Sequence, residues 1–188
     1  LPRIIWDKWP GIVGQILRRE YLPNPEMSIA AIGDIRSDRS PLQVCDFDSL
    51  RNLDSWLSRI HYEGGGGGTD HESYEMIAYF YLHRLHMPYA ELPIFLMTGD
   101  EKCYETLHAD DLKKRFGGNH QTTSAGEVFA GLIEKFNGNV FRIHRKYPYN
   151  NAAVVRHWEE LIGKERIIHL PEDRAVGDVT LGVYAVVS

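Results

Sequence analysis

Short apolar runs alternate with segments of helical periodicity along this chain, and this alternation constrains its fold more than any other feature. The run at residues 94–97 is unbroken and apolar, as in a strand buried on both faces, whereas residues 74–85 place apolar side chains at helical spacing. The alternation of strands with helices indicates a mostly parallel sheet that is covered on both faces. We therefore expect an α/β fold, a Rossmann-like three-layer sandwich with helices flanking a central sheet.

The pattern predicts the order of the elements. Predicted strands lie at residues 27–35, 42–47, 94–97, 140–144 and 166–170, and predicted helices at about 4–17, 50–60, 74–85, 152–162 and 176–187. Pro10 falls within the first helix or begins it, and the β-branched content of the last segment leaves a strand open there. Residues 101–137 are expected to be an enlarged, mostly helical connection with a polar break at 117–120.

Composition sets the class of protein. With 188 residues, 43% hydrophobic and 25% charged, the chain is expected to form one domain over residues 1–188. A net charge of −5 argues against nucleic acid or an anionic membrane as the partner. The spacing of Cys45 and Cys103 matches neither a metal site nor a disulfide framework. We find no apolar run long enough to span a membrane and no leader sequence, so a cytoplasmic location is expected.

Two segments carry the candidate chemistry. In open α/β sheets, ligands bind outside the carboxyl ends of the strands, where the loops converge. One such loop is the run of five glycines at 64–68, followed by Thr69 and Asp70 at the start of a helix; the other is Thr98-Gly99-Asp100-Glu101, which ends a central strand. A hydroxyl beside a carboxylate suits Mg²⁺, which prefers oxygen ligands in octahedral geometry.

These segments, with the order of the elements, resemble the von Willebrand factor type A (vWA) family over most of the chain. The resemblance implies a metal-ion-dependent adhesion site in which Thr69 and Asp100 bind Mg²⁺ or Mn²⁺, with Asp70 and Glu72 around those ligands. It also implies a protein-interaction module that accepts a partner's acidic side chain at the open position of the metal, within larger assemblies in many members of the family.

Two departures from the family pattern stand out. The leading Asp-x-Ser-x-Ser motif and its central first strand are missing, since the chain matches a vWA domain beginning within its first helix. The nearest match, Asp38-Arg39-Ser40, lies between two later strands with Leu42 in place of the second serine, so we do not assign the motif to it. In addition, Thr-Gly-Asp replaces the Thr-Asp-Gly of many members. Another chain could supply the strand, or the domain could lack the metal.

Other interpretations stay open at this point. A metal-dependent hydrolase or phosphotransfer enzyme would use Asp70, His71 or Glu72 beside the ion, although no paired base and orienting group is evident. A metal-free structural subunit would keep the fold alone, with Thr69 as a simple helix cap. His83 and His86 have the spacing of two zinc ligands on one helix, but no third ligand of suitable spacing is evident. Cys103, near His108, is expected to be a structural thiol.

Overall fold

The computed structural model describes residues 2–19, 24–50, 52–63 and 69–188, and within the first helix the side chains of residues 2, 3, 5, 6 and 9 are not described. The glycine run predicted to form a loop at residues 64–68 lies outside the described residues. The described part of the chain is a mixed α/β structure. None of its helices is long and apolar enough to span a membrane.

More of the described residues lie in helices than in strands. The described residues form seven α-helices: α1 (Pro2–Arg19), α2 (Leu53–Leu57), α3 (Tyr74–His83), α4 (Ala109–Phe116), α5 (Ala125–Lys135), α6 (Asn151–Ile162) and α7 (Val176–Val187). The last segment is thus a helix, which resolves the ambiguity left by its β-branched residues. Pro10 lies inside α1 rather than at its start.

The strands in the described residues are short and belong to four separate sheets. They are β1 (Glu26–Met27), β2 (Ala30–Ile32), β3 (Leu42–Val44), β4 (Asp48–Ser49), β5 (Phe95–Gly99), β6 (Thr106–Leu107), β7 (Thr123–Ser124), β8 (Val140–His144) and β9 (Ile167–His169). A parallel sheet has the order β5-β8-β9, while β1–β4, β2–β3 and β6–β7 are antiparallel pairs. The parallel sheet therefore contains three strands in the described residues.

Two predictions in the amino-terminal half are wrong. The single strand expected at 27–35 is divided, because β1 pairs with β4 whereas β2 pairs with β3. The helix expected at about 50–60 is reduced to α2, and Asp48 lies in β4 before it. The Asp48 carboxylate accepts hydrogen bonds from Asn52 Nδ2 at 2.8 Å and from Trp56 Nε1 at 3.1 Å, which holds it beside the helix.

Apolar side chains from alternating positions of β5 enter different parts of the core. Phe95 and Met97 belong to the largest cluster, together with buried side chains of α3, α5 and α6. Leu96 packs instead on Ile143 and Val176, in a separate cluster with α7. A third cluster joins α1, α2 and α7. Strand β5 is therefore covered on both of its faces, and its carboxyl end carries Asp100 to the edge of the core.

Within the connection at 101–137, the structure matches the predicted polar break between two helices. Helix α4 ends at Gly117, whose φ of 67° is a conformation that glycine adopts at little cost. Helix α5 begins at a capping box, in which Ser124 Oγ accepts from Glu127 N at 3.1 Å and Glu127 Oε2 accepts from Ser124 N at 2.9 Å. The antiparallel pair β6–β7 closes this connection.

Candidate functional site at the carboxyl ends of β2 and β5

Asp34 lies at the centre of a hydrogen-bonded cluster after β2. Its carboxylate is 2% exposed. Oδ1 accepts hydrogen bonds from Tyr104 Oη at 2.9 Å and from Arg36 N at 2.9 Å, and Oδ2 accepts from Ser37 Oγ at 3.2 Å. Thr69 Oγ1 lies 3.3 Å from the same Oδ2. The structure thus places the threonine predicted to bind metal beside a buried aspartate that the sequence analysis did not select.

Thr69 itself is an exposed residue. Its Oγ1 also lies 3.2 Å from His71 O and accepts from His71 N at 3.4 Å. This is the geometry of a local turn that leads into α3. Ser73, one residue before α3, accepts from Ile35 N at 2.8 Å and connects the start of the helix to the loop after β2.

Backbone contacts bring the segment after Thr69 against the loop after β5. Glu72 N donates to Lys102 O at 2.9 Å, and Lys102 N donates to Asp70 O at 3.1 Å. Lys102 Nζ also pairs with Asp70 Oδ2 at 2.9 Å, and this hydrogen bond is the main reason why the pKa of Asp70 is lowered. Asp70 is therefore a charged structural partner of Lys102, while the two segments that carry the candidate ligands lie side by side.

Asp100 has a cationic partner of its own. Its Oδ2 lies 3.0 Å from Arg145 Nη1, and Arg145 Nε bonds Asp173 Oδ1 at 2.8 Å. No hydrogen bond joins Asp100 to Thr69 among the described residues. The structure therefore brings Thr69 together with Asp34, and Asp100 together with Arg145, rather than joining the two predicted ligands directly.

Two further carboxyl groups, those of Glu72 and Glu101, lie close to each other and to the aspartates of the site. Burial raises the pKa of Glu72 to about 8, with further contributions from the carboxylates of Glu101, Asp38 and Asp34. Burial and the neighbouring Asp100 also raise the pKa of Glu101. Glu72 Oε2 is buried and has no hydrogen-bond partner within the described structure. The site therefore crowds several carboxyl groups together, and this crowding with burial keeps the proton on Glu72 at neutral pH.

A buried arginine supports the loop that carries Glu101. Arg142 is fully buried in β8, with its guanidinium 4.0 Å from the ring centre of Trp158 and 4.5 Å from that of Tyr74. Arg142 Nη2 and Trp158 Nε1 each donate to Glu101 O at 2.9 Å. Two buried donors thus fix the backbone of Glu101 and position its carboxyl group near Glu72.

An open pocket of about 970 Å³ adjoins Thr69. The Tyr104 ring forms part of its wall, with the Arg36 guanidinium 3.8 Å from the ring centre and the His71 ring stacked at 4.9 Å. Tyr104 is held in place by Glu75, a 2% exposed carboxyl group that accepts from Tyr104 N at 3.1 Å and whose pKa burial raises to about 8. The remaining wall includes Tyr147 and Tyr149.

The donor chemistry of the site fits a hard divalent cation better than a soft metal. The available ligands are hydroxyl and carboxylate oxygens, and Glu72 Oε2 makes no hydrogen bond within the described residues. As arranged, however, no group of three or more His, Cys, Asp or Glu side chains in the described ranges has the geometry of a metal site. A cation would also compete with Arg145 for Asp100.

Cys103 does not pair with Asp100 or His108. Its Sγ lies 3.3 Å from His157 Nε2, and the thiol is fully buried. Burial raises the pKa of Cys103 well above its ordinary value and lowers the pKa of His157 to about 4. Both groups are therefore neutral at physiological pH, which is the state of a structural pair and not of an activated nucleophile.

No protein-family model, curated protein or solved structure matches the chain. The resemblance to the vWA family therefore depends on the sequence features alone, and the site has to be interpreted from its own geometry.

Proposed function

We propose that the chain is a protein-interaction module of vWA type with a Rossmann-like three-layer architecture. Its acidic end, formed by Asp34, Glu72, Asp100 and Glu101 after β2 and β5, binds a partner's carboxylate through Mg²⁺ or Mn²⁺. The observation that carries this proposal is the crowding of the Glu101, Asp38 and Asp34 carboxylates on Glu72, together with the Thr69 hydroxyl 3.3 Å from Asp34 Oδ2. Buried carboxylates that repel one another are stabilised by a bound cation.

Within this proposal, Thr69, Asp34 and Asp100 hold the cation through oxygen atoms, and Glu72 loses its proton and becomes charged beside them when the cation binds. A divalent cation there supplies an open coordination position for an acidic side chain. Arg36 lies on the wall of the adjoining pocket and attracts the same acidic group, while the exposed ring of Tyr149 offers apolar contact area. Affinity for the partner comes from the pocket wall, and dependence on metal comes from the carboxylates.

Calorimetric titration of Mn²⁺ into the protein tests the proposal. We expect binding to the unmodified chain, at least tenfold weaker binding to Asp34→Asn and Thr69→Ala, and unchanged binding to the matched control Asp110→Asn, an exposed acid on α4. Circular dichroism checks that each variant is folded. Absence of binding at millimolar Mn²⁺, or equal binding by all three variants, would contradict the proposal.

One observation favours a second function, a metal-dependent hydrolase or phosphotransfer enzyme. Because its pKa is raised to about 8, Glu72 holds a proton at neutral pH and has the protonation state of a general acid. Phosphatase and esterase substrates in the presence of Mg²⁺ distinguish the two functions. Turnover that is abolished by Asp100→Ala would replace the binding function with an enzymatic one.

A further inference from the structure

An apolar cavity of about 830 Å³ lies between β2 and β5. Ala30 and Ile32 line it from one strand, and Leu96 and Thr98 line it from the other. These strands belong to different sheets, and no strand within the described ranges joins them. The cavity thus occupies the space between two strand edges.

At the edge of β5 that faces away from β8, the backbone groups make no hydrogen bonds within the described part of the chain. Phe95 N donates to Asn139 O at 2.8 Å, and Gly99 O accepts from Arg145 N at 3.0 Å, so alternate residues from Phe95 onward direct their amide groups toward β8. In a parallel ladder, the intervening residues direct theirs to the opposite edge. The N–H and C=O groups of Leu96 and Thr98 therefore face the cavity side, as does the buried, unpartnered Oγ1 of Thr98.

The same analysis applies to β2. Cys45 N donates to Ile29 O at 2.9 Å and Gly33 N donates to Pro41 O at 2.8 Å, which places Ile29 and Gly33 at positions bonded to the β3 side. Ala30 and Ile32 consequently direct their backbone groups away from β3. Both residues line the cavity, so two rows of backbone donors and acceptors border one apolar space.

The two strands run in the same direction. At their carboxyl ends, Gly33 O accepts from Ser73 N and Lys102 O accepts from Glu72 N, both just before α3. At their amino ends, Ser28 Oγ and the Phe95 ring both contact Tyr81, near the end of α3. The carboxyl ends of β2 and β5 therefore lie at the same end of the molecule. A strand placed between them would be parallel to both.

Helices cover this space from two separate clusters. Ile77 and Tyr81 of α3 line it and belong to the largest cluster, whereas Ile16 of α1 and Tyr184 of α7 line it from another. A segment inserted here is buried on both faces, and strands in that position are apolar at nearly every residue. A small apolar molecule would fill the volume, but it would leave the backbone groups of both edges without hydrogen bonds, which is costly in a buried place.

We propose that the space between β2 and β5 receives an extended apolar strand from a polypeptide segment outside residues 1–188, which hydrogen-bonds to both edges in parallel. The strand matches the five residues of β5, or about 17 Å of extended chain. Its side chains pack between α3 on one face and α1 and α7 on the other. This inference is independent of the metal proposed at the acidic end.

Hydrogen exchange followed by NMR tests the inference. The probe is a synthetic peptide with five alternating Val and Ile residues, flanked by two lysines at each end for solubility. The control peptide has proline at the second and fourth positions of the run, which removes backbone donors from one edge. We expect the probe to slow exchange at the amides of Ala30, Ile32, Leu96 and Thr98 at least tenfold, and we expect the control peptide to have no such effect.

A pair of variants separates binding in the cavity from binding elsewhere. Ala30→Phe places a ring in the space and should abolish the protection, whereas Ala130→Phe, at an exposed position of α5, should leave it unchanged. Protection by the proline peptide, protection of only one edge, or no protection would each overturn the inference. Protection without any peptide, together with a dimeric mass, would assign the space to a second copy of the chain and overturn it as well.

Discussion

Replacing Glu72 with glutamine should make the protein more stable at alkaline pH and remove part of its pH dependence. Glutamine resembles the protonated carboxyl group in shape and stays neutral at every pH. In the folded protein Glu72 keeps its proton up to a pKa of about 8, because of burial and the nearby carboxylate of Glu101, whereas its ordinary pKa is 4.5. The folded state then binds more protons than the unfolded chain across this interval, so the free energy of unfolding falls as pH rises from 4.5 to about 8.

The magnitude follows from that interval. Each pH unit in which only the folded state holds the proton lowers stability by about 1.4 kcal/mol, which gives a ceiling of about 5 kcal/mol. Glu72 is half-buried, and solvent screening at such a side chain reduces the effect to about 2 kcal/mol. We therefore expect Glu72→Gln to be about 2 kcal/mol more stable than the original chain at pH 8.5, with a much smaller difference at pH 5.

Urea unfolding at the two pH values, in buffer with EDTA, measures this difference. Glu134→Gln is the matched control, because Glu134 is an exposed residue of α5 outside the acidic end, and it should follow the original chain at both pH values. If Glu72→Gln gains no stability over the original chain between pH 5 and pH 8.5, Glu72 does not lie in a crowded cluster of carboxylates and the reasoning about the site is refuted.

Three further substitutions test the packing that positions the site. Gly99→Ala should lower the free energy of unfolding by about 2 kcal/mol, because the new Cβ overlaps the Tyr74 hydroxyl. Adding Tyr74→Phe to the same chain should recover part of this stability, as measured by urea unfolding. Lys135→Met should lower stability by about 2 kcal/mol, because Lys135 Nζ donates to three carbonyl oxygens at the end of α3. Thermal unfolding measures this loss, and the control Lys113→Met, at an exposed position, should keep the original melting temperature. Ser124→Ala should cost about 1 kcal/mol by removing the cap of α5, and an unchanged melting temperature would exclude that role.

The elements with a single strong pattern could be predicted from the sequence. Residues 140–144 and 176–187 have the predicted bounds in β8 and α7. Most residues of both segments are apolar, although the β-branched content of the second also allowed a strand. The amino-terminal strands could not be predicted as well. Their division depends on which antiparallel partner each short segment meets, and β1 and β4 pair across more than twenty residues of chain.

The candidate site shows a similar limit. Thr69 and Asp100 were selected because they lie in loops where ligands are expected and match the vWA pattern. Asp34 was missed because the strand predicted at 27–35 contained it, whereas β2 ends at Ile32 and leaves Asp34 in the loop that follows. The partner of Asp100 could not be inferred, since Arg145 follows a different strand and reaches Asp100 only through the register of β5 and β8. The raised pKa of Glu72 likewise depends on burial and on charges that are distant in sequence.

A crystal structure with Mn²⁺ and its anomalous map tests the central claim most directly. The account predicts an anomalous peak at the acidic end, within coordination distance of oxygen atoms from Thr69, Asp34 or Asp100, with Glu72 beside it. An intact fold with no peak at this place, from crystals soaked in millimolar Mn²⁺, would contradict the account and leave an interaction scaffold that does not use metal.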